Sequence, residues 1–126
     1  MIEALFSQPD YVASKKMLDV TVLRHEAIAS NLANLETPNY KRIDVSPTFE
    51  SQLHQAVANR DAAQIAGLQP RLAVDTQAAT GRSDGNTVQL ETEMLKLNQN
   101  TVEDALETQL IGSKLSNLRL AITGKG

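Results

Sequence analysis

The chain has no cysteine and no tryptophan, and only two phenylalanines and two tyrosines among 126 residues. Without thiols there is no disulfide, no thiolate metal ligand and no cysteine redox chemistry. Aromatic side chains supply much of the buried area in compact cores. A core here must instead be built from Leu, Val, Ile and Ala, a set that suits helix packed on helix. Apolar runs are only a few residues long, too short to span a membrane. The opening Met1-Ile2-Glu3-Ala4-Leu5-Phe6 has neither a basic stretch nor an adequate apolar stretch, so no cleaved secretory signal is expected. Basic charge is also not in excess: the net charge is −3 and the pI about 5.3, which sets nucleic acid and anionic membrane aside as partners. The length fits one domain, residues 1–126.

Enzyme signatures are missing too. The histidines, His25 and His54, are far apart and lack a second ligand at helical spacing. Glu91-Thr92-Glu93 and Glu103-Asp104 bring carboxylates close in sequence, but near neighbours on a helix point to different faces, so surface charge is the expected role. Glycines are scattered rather than gathered in a phosphate loop, and no serine sits in a G-x-S-x-G turn. Lys15-Lys16 and Lys41-Arg42 are too short for nucleic-acid patches. No catalytic residue, cofactor or metal site is expected.

What the sequence does contain is helical pattern. Ser7-Gln8-Pro9-Asp10 reads as a helix start, with a capping serine, an early proline and an acid in the first turn. Nothing breaks the pattern as far as Leu35, giving an N-terminal helix over about 8–36. Its apolar residues cover more than one narrow stripe. Ile43 and Val45 then alternate with polar neighbours as a short extended segment, and Ser46-Pro47 starts a short helix with Phe49, Leu53 and Val57 on one face. Together, 37–58 reads as turn, extended segment and short helix. Residues 59–85 are polar and broken by Gly67, Pro70 and Gly81, and are expected to form a flexible loop, with Leu72 and Val74 able to pair with Ile43 and Val45.

The last helix is predicted over 86–123, capped by Asn86 with Gln89 three residues on, and stopped by Gly124. Along it Met94, Leu97, Thr101, Asp104, Thr108, Ile111, Leu115, Leu118 and Ile122 recur at steps of three and four, a heptad seam. Val102, Leu106 and Leu110 supply a second apolar face. Two helices of one chain cannot cover all this surface for each other, and a large aliphatic side chain gains roughly 1.5–3 kcal/mol from full burial. Packing against other chains is therefore expected, with a self-contained hairpin as the alternative. The fold class is mainly α: long N- and C-terminal helices packed as a coiled-coil hairpin.

Between the helices lies Asn31-Leu32-Ala33-Asn34-Leu35-Glu36-Thr37-Pro38-Asn39-Tyr40-Lys41. Pro38 disfavours helix at Thr37, and Asn39 tolerates positive φ, so Thr37-Pro38-Asn39-Tyr40 reads as a type II turn. Asn31 and Asn34 place two amides one turn apart, able to bond neighbouring backbone. Tyr40 is expected to anchor the turn through its hydroxyl. Asn31, Asn34 and Thr37 to Lys41 together resemble the signature of the flagellar rod and hook axial proteins, in which glycine usually stands where this chain has Asn39. Phe49-Glu50 with Leu53, and Asp84-Gly85-Asn86-Thr87-Val88, are similar to the proximal-rod branch of that family. The likeness covers roughly residues 9–54 and 84–123.

The resemblance implies a structural subunit of the basal-body rod, a helical drive shaft that crosses the periplasm. It implies as partners other copies of the chain, other rod proteins, the basal-body membrane ring with its small adaptor protein, and the type III export apparatus. It implies neither nucleic-acid binding nor membrane insertion. The turn, Asn31 to Lys41, would lock the first helix to the adjoining segment, and the seam from Met94 and Leu97 to Leu118 and Ile122 would line subunit packing. A soluble coiled-coil adaptor or export chaperone explains the helices and the acidity equally well, but not the Asn31–Lys41 constellation. Another rod protein of the same family would share the motif.

Overall fold

A computed structural model describes residues 8–79 and 81–124. The first helix, α1, runs Pro9–Ala33, with Pro9 opening the first turn and Asp10 beside the positive end of the helix dipole. Gln8 is the N-cap and gives no side-chain cap bond; the predicted capping serine, Ser7, lies outside the described residues. The helix stops before Leu35 because Asn34 leaves the α region (φ −109°, ψ 19°). The chain then tightens: Leu35 N–H donates to Leu32 O and Thr37 N–H to Asn34 O.

Strand β1 (Ile43–Val45) pairs antiparallel with β2 (Leu72–Val74), Ile43 opposite Val74 and Val45 opposite Leu72, the pairing the alternation suggested. Between them lie α2 (Pro47–Ala58) and α3 (Ala62–Gly67). Phe49 and Leu53 of α2 are buried as expected, but the third inward residue is Ala56; Val57 is turned out. A helix turn of 3.6 residues returns to the same face after seven residues more closely than after eight. The chain reverses after α2 through Arg60, held at φ 52°, with Arg60 N–H donated to Val57 O and Asp61 N–H to Ala56 O. This is the Schellman arrangement, made here without glycine.

The stretch 59–85 thus holds a helix and a strand and has more regular structure than its polarity suggests. Its signal was Asp61, whose Oδ1 accepts from Gln64 N–H at 3.0 Å as an N-cap. That cap delivers Ile65, completely buried, into the core. The core is formed by Val20, Val45, Phe49, Leu53, Ala56 and Ile65, with Val12, Met17, Leu68 and Leu72 packed at its margin. It lies between one face of α1 and the layer made by α2, α3 and the two strands.

Helix α4 (Leu90–Thr123) packs antiparallel along α1; its 34 residues span about 51 Å. It starts three residues later than predicted, with Gln89 rather than Asn86 as the N-cap, and that residue makes no side-chain cap bond. It ends as predicted at Gly124 in the left-handed conformation, whose N–H reaches Leu120 O. Among the described residues, no helix is long and apolar enough to cross a membrane.

Ile65→Ala should lower unfolding free energy by about 2–5 kcal/mol, the cost of a buried large-to-small change, whereas Val57→Ala should cost under about 1 kcal/mol. Urea unfolding of the two variants checks whether α3 belongs to the cooperative core.

Candidate functional site

Asn31 is fully buried at the end of α1, facing β1. Its amide pairs with one backbone residue in both directions: Oδ1 accepts from Ile43 N–H at 2.9 Å and Nδ2 donates to Ile43 O at 2.9 Å. A side chain here satisfies both backbone groups of Ile43 on the edge of β1 away from β2. Asn34 behaves differently. Its Nδ2 donates to Ser30 O of its own helix and its Oδ1 accepts from Thr37 Oγ1. Only Asn31 therefore bridges to the adjoining segment.

The turn that follows has the expected form. Tyr40 N–H donates to Thr37 O, and Asn39 sits at φ 61°. Tyr40 OH reaches back to Ser30 Oγ (3.0 Å) and Asn31 Oδ1 (3.3 Å), anchoring the turn to α1. Pro38 is exposed, so it acts through backbone geometry rather than packing. On its outer side the turn meets the segment before α4: Asn39 N–H donates to Asp84 O and Lys41 Nζ to Gly85 O. Gly85 is at φ 77°, and a Cβ there would lie 2.5 Å from Asn39 Oδ1. The left-handed φ favours glycine at that position, and any other residue would also have to displace the Asn39 amide.

Three residues of this site were not legible in the sequence. Asn86, predicted to cap α4, is fully buried and serves the end of α1 instead. Its Nδ2 lies within hydrogen-bond reach of the carbonyls of Asn34, Leu35 and Thr37, at 2.8–3.1 Å, and its Oδ1 accepts from Val88 N–H. Glu93, read as surface charge, is completely buried. It accepts from Arg42 Nε at 2.6 Å and from Asn31 Nδ2 at 3.2 Å, tying α4 to the lock. Arg42 in turn pairs with Asp44 and Asp75, one from each edge of the small sheet. Burial alone would lower the Arg42 pKa; the hydrogen bonds and charges of Glu93, Asp75 and Asp44 outweigh it and push it up. The guanidinium stays charged, as a buried pair requires. The signal for Glu93 was its position four residues before Leu97 on the seam period.

The predicted seam divides in two. Leu97, Ile111 and Leu118 are half-buried, on the side of α4 that meets α1, and Asp104 Oδ1 lies 3.1 Å from the Thr21 hydroxyl. The alternate members Met94, Thr101, Thr108, Leu115 and Ile122 are exposed. The other inward residues are polar: Glu93, Asn100 and the partly covered Glu107 and Lys114. Asn100 Nδ2 donates to Thr21 O at 2.8 Å, while Asn100 Oδ1 and Glu107 Oε2 are buried with no partner among the described residues. Desolvation pushes the Glu107 pKa up, against a lowering hydrogen bond from Ser14 and with a further raising contribution from Glu103. On the far side of α4, Leu95, Val102, Leu106, Leu110 and Leu120 form a second exposed row, at positions that 100° per residue places away from α1. His25 and His54 are exposed.

Two long helices clasped at one end by an amide and ion-pair lock, with apolar rows on the outer faces of α4, define a mainly helical protein. Comparison with known proteins gives the class its family. The chain is 30% identical to Flagellar basal body rod protein FlgB of Borrelia hermsii, over 85% of this chain and 90% of that protein. It is 33% identical to Flagellar basal body rod protein FlgB of Aquifex aeolicus, over 88% and 90%, and 26% identical to that of Bacillus subtilis, over 81% and 84%. No family model matches the chain. The chain belongs to the FlgB family of flagellar basal body rod proteins.

Asn31→Asp removes both donated bonds and sets a second carboxylate against buried Glu93, so a loss of about 3 kcal/mol or more is expected. Asn34→Ala breaks contacts within its own turn and should cost about 0.5–1.5 kcal/mol. Chemical denaturation of both variants tests which asparagine holds the lock. A raised carboxylate pKa means the folded state binds the proton more tightly, so stability falls as pH rises from the unfolded pKa through the folded one. Glu107→Gln should accordingly raise the melting temperature at pH 7, and the gain should shrink below about pH 4, where the wild-type carboxyl is protonated in both states.

Proposed function

We propose that the protein is a structural subunit of the proximal flagellar rod and assembles by packing the outer rows of its terminal helices against neighbouring subunits. The observation that carries this is the exposed apolar surface of α4. Of the twelve exposed large apolar residues among those described, nine lie on this helix: Leu90, Met94, Leu95, Val102, Leu106, Leu110, Leu115, Leu120 and Ile122. They occupy two faces, so one neighbour cannot cover both. The partners are other copies of this chain, the other rod proteins, and the membrane ring with its adaptor at the base of the shaft. In this reading the turn from Asn31 to Lys41 fixes the angle at which the segment after α1 leaves the hairpin, and so sets the shape each neighbour meets. The subunit reaches the periplasmic span of the rod through the flagellar export apparatus. Head-to-tail contacts of this kind extend into a filament instead of closing in pairs.

A tagged copy should co-purify with detergent-extracted basal bodies, and a deletion strain should make rings without rods. A stable cytoplasmic dimer alongside normal rods would replace this reading with a coiled-coil adaptor. Leu115→Asp should leave export intact and abolish incorporation, since it puts a charge on the exposed half of the seam while Leu97, Ile111 and Leu118 still face α1. Normal rods in that strain would remove the exposed half of the seam from the assembly surface.

A further inference from the structure

We propose that an acidic cleft between the first half of α4 and the β1–β2 sheet receives the Arg119 side chain of a second copy of this chain, linking copies head to tail. The proposal rests on the assembly reading above and names its contact. The cleft has a volume of about 280 Å³, just below the usual range of small-molecule sites, about 300–1,000 Å³. That size suits one inserted side chain.

Its lining is unbalanced in charge. Four acids, Asp44, Glu50, Asp75 and Glu103, line it against two cations, Arg24 and Lys96, with Glu50 paired to Arg24. Asp44 is already engaged by Arg24, Arg42 and Lys96, and Asp75 by Arg42. Glu103 is held least: it is half exposed, and its ion pair among the described residues is a long 3.6 Å contact to Arg24. A second group in the cleft has an acceptor left unfilled among the described residues. Asn100 is 3% exposed and lines the cleft, with its Nδ2 end clamped on Thr21 O and its Oδ1 end unbonded. A carboxylate and an amide oxygen both call for donors, and a guanidinium carries five in a planar fork.

Arg119 has the matching surroundings. It is exposed near the far end of α4, with exposed Leu115 one turn before it and exposed Ile122 one turn after. Its guanidinium makes no hydrogen bond or ion pair with the described residues. The cleft has an apolar edge of its own in Val74, 52% exposed. A cation between two aliphatic side chains thus meets an acidic slot with an aliphatic edge. Cleft and cation lie about 20 residues apart on one helix, about 30 Å, so the contact joins different patches on the two copies and repeats from copy to copy.

The cysteine-free chain allows a direct test. Gln99→Cys at the cleft and Ser116→Cys one turn from Arg119 leave every charge of the contact in place. In basal bodies from a strain carrying both, a short thiol-to-thiol crosslinker should produce a ladder of multimers of this chain, and neither single-cysteine strain should. Glu103→Arg should cut incorporation by about tenfold or more, the scale of a lost buried charge pair, and Arg119→Glu added to it should restore incorporation. A doubly substituted protein that is present in basal bodies but gives no ladder, or crosslinks only to a different protein, overturns the contact. So does a charge reversal that the second reversal fails to rescue. Absence of the tagged wild-type chain from basal bodies overturns the rod reading itself.

Discussion

The two-way hydrogen bond between the Asn31 amide and the backbone of Ile43 is the constraint on which the rest of the molecule depends. It makes one side chain act as a strand edge, so a helix and a three-residue strand can be joined without a third strand. Once Ile43 is fixed, Arg42 is carried inward to Glu93 and Asp75, and Val45 is carried into the core. Asn31 also bonds Glu93 and Tyr40. The ends of α1, β1 and α4 therefore meet at one amide with no spare bonding capacity.

Helix α1 divides the molecule by polarity. One side holds the aliphatic core with α2, α3 and the strands; the other meets α4 through Ser14, Thr21 and Asn31 against Glu107, Asp104, Asn100 and Glu93. A polar helix-to-helix contact contributes little burial and depends on hydrogen-bond geometry, which makes it specific rather than strong. Two buried oxygens without partners among the described residues, on Asn100 and Glu107, fall on this contact. Most of the hydrophobic capacity of α4 is meanwhile turned outward.

The lock also governs where flexibility is excluded. Asn86 satisfies the carbonyls that α1 leaves open at its C-terminus, and Gly85 lets the preceding segment lie against Asn39. The exit from α1 and the entry to α4 are thus held by the same few residues. That coupling places the long helices relative to the small α2–α3–sheet layer, and hence positions the cleft on one side of α4 and its apolar rows on the others.

Much of the fold was legible from local chemistry in the sequence. The 3.6-residue period, Pro9, Pro47 and Gly124 marked the helices, because each rule acts within a turn or two of backbone. The Thr37–Tyr40 turn followed from what Pro38 and Asn39 permit at their own φ angles. The pairing of Ile43 and Val45 with Val74 and Leu72 followed from alternation. Tertiary structure alone decided the buried state of Glu93 and Arg42, the use of Asn86 on α1 instead of α4, the inward place of Ile65, and the split of the seam into a face toward α1 and a face toward solvent. Each of these depends on a partner more than twenty residues away. The free energy of a charge or an amide is set by what surrounds it after the chain has closed, and no local pattern records that.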